Sequence, residues 1–189
     1  ELLKRSRAVH EAHWEKQEVQ LCTLLSIKTG GCSEDCSYCA QSARYSTGVD
    51  AERLLSKDAV MENAHAAKAN GSTRFCMGAA WKGVRQGTKR FDEVLEIIRG
   101  VSELDMEVCV TLGEVGAEEA QQLRDAGVTA YNHNIDTSPE HYPNIVSTHT
   151  FQDRINTLKH VQEAGMAVQH WGRCNIGGGV HWGWGTLGV

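Results

Sequence analysis

Between residues 19 and 168 the sequence repeats one unit: a short apolar run, a polar loop, a helix with one apolar face and a glycine stop. The run Val19 to Ile27 reads as a strand and leads into Lys28-Thr29-Gly30-Gly31. Ser56 can cap a helix running to about Asn70, stopped by Gly71, and a strand follows at about Thr73 to Met77. The next helix, about Phe91 to Leu104, places Phe91, Val94, Leu95, Ile98 and Val101 on one face. A strand at Glu107 to Leu112, a helix at Ala117 to Asp125 and a strand at Thr129 to Asn134 repeat the pattern. Thr150 can cap a last helix with Phe151, Ile155, Leu158 and Val161 inward, and a strand starts at Met166. Strands alternating with helices predict an α/β fold with a parallel sheet and helical crossovers. A closed eight-stranded barrel takes about 250 residues, and 189 residues supply roughly five strands. The expectation is a partial TIM-type (β/α) barrel or a smaller open sheet, its working face at the C-terminal strand ends in either case.

Composition narrows the class of partner. The net charge is -5 with a pI near 6.0, and no basic stripe suggests nucleic acid. No apolar run is long enough for a membrane span. Residues 1–20, read as a polar helical segment over Leu2 to Glu18, lack the apolar core of a signal peptide. The chain begins at Glu1, which leaves room for an upstream segment. Seven cysteines is an odd number without a secretory signal, so a reduced compartment and metal or catalytic roles are expected.

Cys32-Ser-Glu-Asp-Cys36-Ser-Tyr-Cys39 is a Cys-x3-Cys-x2-Cys motif on the loop after the first strand. Three soft, anionic thiolates can ligate three irons of a 4Fe-4S cube and leave the fourth iron without a protein ligand. The triplet resembles that of radical enzymes, a resemblance that implies S-adenosylmethionine in that vacancy through its amino and carboxylate groups and its reductive cleavage to a 5′-deoxyadenosyl radical. Structural zinc, with Cys22 or a histidine as fourth ligand, is the alternative reading of the triplet. Surface cysteines without metal are another.

The flanks of the motif carry a more specific signal. The run Ser26 to Cys39 with Gln41-Ser42 and Arg44-Tyr45 resembles the biotin synthase family of radical S-adenosylmethionine enzymes. So do Gly71-Ser-Thr-Arg-Phe-Cys-Met-Gly-Ala-Ala-Trp81, Val108-Cys-Val-Thr-Leu-Gly113 and Tyr131-Asn-His-Asn-Ile-Asp-Thr-Ser-Pro139. The resemblance covers about Val9 to Val168. It implies a (β/α)8 barrel and a sulfurtransferase activity in biotin biosynthesis, inserting sulfur between two carbons of dethiobiotin. It implies a 4Fe-4S cluster on Cys32, Cys36 and Cys39, which serves catalysis with S-adenosylmethionine, and a 2Fe-2S cluster with Cys76 and Cys109 among its ligands. It places Tyr38 against the adenine, Asn134 and Asp136 on the ribose hydroxyls, Asn132 at the ureido ring of dethiobiotin and Arg74 beside the inner cluster. A flavodoxin-type electron donor, a homodimer and a cytoplasmic location, mitochondrial in a eukaryote, belong to the same implication.

Strand alternation agrees with part of this. Arg74 and Cys76 share one face, as do Glu107, Cys109 and Thr111, with Val108, Val110 and Leu112 on the other. Asn132, Asn134 and Asp136 share a face if their strand stays extended. Taken singly, Cys76 and Cys109 read as small core residues, the asparagines as turn residues and Tyr38 as packing. Cys22 reads as core, and His133 as a packed histidine facing away from the asparagines.

After Val168 the pattern changes. The family's third inner-cluster cysteine falls at Gln169, and its arginine ligand would come from a later strand. Residues 169–189 hold seven of the 19 glycines and one charged residue, Arg173, and show no helical or strand periodicity. Three segments are therefore expected: 1–20, the partial barrel 21–168, and a tail 169–189 that does not continue the fold. The tail is expected to stem from a truncated or out-of-frame reading of the gene, with competence for the full reaction in question. A metal site from His170, Cys174 and His181 is a minor alternative. Another radical S-adenosylmethionine enzyme on the same scaffold, a zinc-binding module and an inactive fragment are the rival functions.

Overall fold

The structure is a computed structural model that describes residues 1–13 and 19–169, with the backbone of 174–175 and 180–181. Helix α1 (Leu2–His13) comes first, then β1 (Cys22–Lys28), α2 (Lys57–Ala69), β2 (Arg74–Ala79), α3 (Lys89–Ser102) and β3 (Glu107–Thr111). They are followed by α4 (Ala117–Asp125), β4 (Val128–Asn132), α5 (Phe151–Glu163) and β5 (Ala167–Gln169). The five strands pair in chain order, all parallel, with β1 and β5 at the edges. This is the α/β fold and partial barrel expected from the alternation.

The helices form where the sequence marks them. Ser56, Thr88 and Thr150 each accept a hydrogen bond from a backbone N–H of the first turn, and Thr150 forms a reciprocal capping box with Asp153. At the stop of α4, Gly127 holds φ +110°, and a Cβ there would lie 2.4 Å from the Ser102 hydroxyl. No glycine follows α3. Asp105 turns that chain with φ +53°, a conformation short polar side chains tolerate.

One face of the sheet carries the apolar set and is buried under α2–α5. Ile27, Phe75, Met77, Val108, Val110, Val128 and Val168 pack there against Val60, Phe91, Ile98, Leu123 and Val161. The opposite face is polar and thiol-bearing, with Cys22, Ser26, Arg74, Cys76, Glu107 and Thr111 less than fully buried. Cys22 does not join the core: it is exposed, because alternation along β1 sends Ile27 to the helices and Cys22 to the other side. None of the helices among the described residues is long and apolar enough to cross a membrane.

Gln169, the first residue of the tail, ends β5 and pairs with Asn132, while the described part of the tail beyond it adds no strand to this sheet. Its strands β6 (Cys174–Asn175) and β7 (Val180–His181) form a separate antiparallel pair. His170 and the side chains of Cys174 and His181 lie outside the described residues.

Tyr131 ties the sheet to the loop that follows β3. Its buried hydroxyl donates to the Gly113 carbonyl at 2.7 Å and accepts from the Leu112 N–H at 3.2 Å. Gly113 (φ +83°) passes so close to the Lys82 carbonyl that a Cβ would meet it at 2.3 Å. Replacing Tyr131 by Phe leaves both backbone groups without their partner. The expected cost is about 1–3 kcal/mol of stability by denaturant titration; a loss of less than half that would show that the loop finds other partners.

Candidate functional site

The cysteine loop leaves the C-terminal end of β1 and folds back on itself. Cys32 donates its N–H to the Gln41 carbonyl (2.9 Å) and accepts from Ala43 N–H (2.8 Å), and Cys39 N–H donates to the Cys36 carbonyl (3.0 Å). Cys32 and Cys36 are buried and Cys39 is half-buried. Burial pushes the Cys36 thiol up to about 11 and raises Cys32 as well.

Two acidic residues inside the motif fasten this loop to the segment before α5. Asp35 accepts from the backbone N–H of Ser147 (2.9 Å) and of Thr148 (3.2 Å), and from the Ser147 hydroxyl. Those bonds, led by the one from the Ser147 hydroxyl, hold its carboxyl below the usual range. Buried Glu34 accepts from the Thr148 hydroxyl (2.8 Å) and is bonded to His149 Nδ1, whose Nε2 meets the Tyr142 hydroxyl at 3.0 Å. Lys82, from the loop after β2, reaches Glu34 at 3.5 Å and the Thr148 carbonyl at 2.7 Å. Loops following β1, β2 and β4 are thereby joined.

Above the sheet these loops border an open cavity of about 360 Å³. Cys36, Cys39, Tyr38, Asn134, Asp136 and Arg154 all line it, with Gly78, Trp81 and Thr111 beneath. The strand does not stay extended through Asp136, which turns with φ +67° and still faces the cavity. Its Oδ2 is buried with no hydrogen-bond partner among the described residues, and burial raises its pKa. Tyr38 hydrogen-bonds to Asp136. Asn132 does not line this cavity. It ends β4 in register with Gln169, farther down the sheet.

Arg154, Glu34, Asp35 and His149 had no part in the site expected from sequence. Arg154 donates to the Tyr142 hydroxyl (2.9 Å) and approaches Asp136 at 3.6 Å and His133 at 3.3 Å. Its signal was a charge set within the apolar stripe Phe151, Ile155, Leu158. His133, expected to face away from the asparagines, is buried and borders the same cavity.

Lower on the same face lies a second group of thiols. Cys76 and Cys109 stand opposite each other on β2 and β3 and are hydrogen-bonded. The Cys109 thiol donates to Gln169 Oε1 at 3.4 Å. Arg74, beside Cys76, donates through Nε to Glu107 at 2.8 Å.

Cys32, Cys36 and Cys39 stand too far apart for a single zinc ion and leave room for a larger group. A tetrahedral zinc with 2.3 Å bonds draws its sulfurs to about 3.8 Å of one another. Among the described residues the three ligand atoms found within 4.8 Å of one another are those of Glu34, Glu114 and His149, not the sulfurs of Cys32, Cys36 and Cys39. Within that oxygen-nitrogen group Glu34 already meets Lys82 at 3.5 Å and the Thr148 hydroxyl at 2.8 Å. The unpartnered Asp136 oxygen, in a cavity beside the thiols, suits a ligand that brings a hydroxyl donor.

Comparisons with known proteins place the chain in a family. The family model described as the radical SAM superfamily matches residues 26–183. The chain is 55% identical over 168 residues to a biotin synthase of Myxococcus xanthus, covering 89% of this chain and 48% of the relative. It is 54% identical over 177 residues to a mitochondrial biotin synthase of Arabidopsis thaliana, covering 94% and 47%. The chain thus spans about half the length of these curated relatives. Among solved structures, the FeFe-hydrogenase maturase HydG from Carboxydothermus hydrogenoformans superposes with a TM-score of 0.74 at 21% identity, over 90% of this chain and 40% of that one. Methylornithine synthase (PylB) gives 0.75 at 18% identity, over 89% and 49%. Both likenesses concern the fold.

His133 sets a pH dependence. Burial, then the Arg154 charge, lowers its pKa well below the ordinary value. The unfolded chain takes up this proton near pH 6.5 and the folded chain does not. The contribution is therefore complete above about pH 6.5 and is lost as pH falls below it, by up to about 1.4 kcal/mol per pH unit. Stability measured by denaturant from pH 8 to pH 5 should fall less steeply in His133→Gln than in the parent. Parallel slopes would remove His133 as the cause.

Proposed function

The chain belongs to the radical S-adenosylmethionine superfamily, and from that premise we propose that it carries the S-adenosylmethionine site and part of the substrate site of a biotin synthase. The reading is carried by one observation: Cys36, Cys39, Tyr38, Asn134 and Asp136 line a single cavity at the C-terminal strand ends. Cys32, Cys36 and Cys39 are the proposed ligands of a 4Fe-4S cluster, which when bound supplies the electron for reductive cleavage of S-adenosylmethionine.

The chain's own groups have assignable tasks. Tyr38 offers a ring face for the adenine, and Asn134 and the unpartnered Asp136 oxygen take the ribose hydroxyls. Arg154 supplies the positive charge that orients an anionic group. Asp35 and Glu34 keep the cysteine loop in place. Farther down, Asn132 is proposed to meet the ureido ring of dethiobiotin, and Cys76 and Cys109 to hold a 2Fe-2S cluster next to Arg74. The overall reaction is sulfur insertion into dethiobiotin. A flavodoxin-type electron donor, a homodimer, and a cytoplasmic or mitochondrial setting are supported by the family resemblance, and the last also by relatives named as mitochondrial.

Anaerobic reconstitution with iron and sulfide tests this reading. About four irons per chain should depend on Cys32, Cys36 and Cys39, and reduced protein should form 5′-deoxyadenosine from S-adenosylmethionine. Asp136→Ala should weaken S-adenosylmethionine binding by about tenfold or more with iron content unchanged. Stimulation of cleavage by dethiobiotin, reduced in Asn132→Ala, supports biotin synthase. Cleavage indifferent to dethiobiotin would mean another radical enzyme on the scaffold, and zinc in place of iron would overturn the reading altogether.

A further inference from the structure

A third thiol stands beside the Cys76–Cys109 pair. Cys22 Sγ lies 3.1 Å from Cys76 Sγ, although the two residues are 54 positions apart in sequence. The reason is register: Cys22 pairs with Arg74, two residues before Cys76, and both thiols leave the open face of the sheet. The three cysteines thus form a row across β1, β2 and β3 with Cys76 in the middle.

This row suits a cluster and not a disulfide or a single ion. Strands spaced about 4.8 Å apart, rising about 3.3 Å per residue, put the diagonal Cα atoms of Cys22 and Cys76 roughly 8 Å apart. A disulfide needs less than about 7 Å without backbone movement. The three sulfurs are also not among the sets within 4.8 Å of one another in the described residues, as one ion would require. At the far end of the row Cys109 meets Gln169, whose neutral amide oxygen is a poor ligand for iron compared with a thiolate.

We propose that Cys22, Cys76 and Cys109 are the three thiolate ligands of this chain's inner two-iron cluster, Cys22 supplying the sulfur that Gln169 cannot. This rests on the inner-cluster reading above and adds a ligand to it. On loading, the three thiols release their protons to solvent and each forms a sulfur–iron bond. A two-iron cluster takes four ligands, of which this row supplies three. Cys22 is exposed on the open face, so iron and sulfide reach it without unfolding.

The test uses the full chain with Cys32, Cys36 and Cys39 replaced by Ala, so that bound iron reports the inner site alone. Anaerobic reconstitution should load about two irons with a 2Fe-2S absorption spectrum. Adding Cys22→Ala should cut the retained iron several-fold, and Cys22→Ser should retain iron with a shifted spectrum, as an oxygen ligand replaces sulfur. Independently of any substitution at residue 22, iodoacetamide should label Cys22 in the unloaded protein and spare it in the loaded one. Unchanged iron and spectrum in Cys22→Ala, or equal labelling of Cys22 in both states, would overturn its role as ligand while leaving the Cys76–Cys109 site standing. Failure of the parent to load any iron would overturn the inner-cluster reading and this proposal with it.

Discussion

Five parallel strands with helices on one side divide every strand into two sets of side chains, and the rest of the molecule follows from that division. The set facing the helices is a continuous apolar layer that supplies most of the burial. The other set is freed from packing and carries thiols, Arg74, Glu107 and Thr111. An ordinary core could not accept these groups at little cost, because buried polar atoms need partners. On an open or barrel-interior face they remain available to a ligand. The same division explains why neighbouring strands in register bring Cys22, Cys76 and Cys109 into one row.

The site above the sheet depends on contacts between loops. A Cys-x3-Cys-x2-Cys loop on its own would be a flexible run whose thiols must be ordered at an entropic cost. Here the cost is met within the fold, because Asp35 and Glu34 occupy the positions between two of the cysteines and take hydrogen bonds from Ser147, Thr148 and His149. Lys82 adds a third loop to the same junction. The cysteine loop and the segment before α5 are thus held to one another by groups that do not line the cavity.

Much of this could be read in the sequence because it is local. Helix caps at Ser56 and Thr150, glycine stops at Gly71 and Gly127, and the cysteine spacing each involve a few neighbouring residues. What escaped depends on distance along the chain. The Glu34–His149 contact joins residues 115 positions apart, and no local pattern reports it. Cys22 reads as core because no role in the resembled family falls on it, and within the apolar run Val19 to Ile27 periodicity does not say which face is buried. Asp105 turns the chain after α3 where Gly71, Gly127 and Gly165 serve the other helices, since Asp shares some of glycine's tolerance for positive φ. Arg154 was hidden by the helix it sits on, where an inward charge has no meaning until Tyr142, His133 and Asp136 close around it.

Arg154 and Asp136 also give the cavity a physical basis for discriminating between ligands. Their charged groups lie 3.6 Å apart, longer than a direct hydrogen bond, with the Asp136 oxygen left without a donor. Two opposite charges that were fully paired would have nothing left for a ligand. Two held apart by competing partners, Tyr142 and His133 for the guanidinium and Tyr38 for the carboxylate, each keep capacity in reserve. A molecule carrying both anionic and hydroxyl groups can satisfy both at once, while a purely apolar one leaves a buried carboxylate oxygen unsatisfied. Selection in such a site comes from the penalty on the wrong ligand as much as from attraction to the right one.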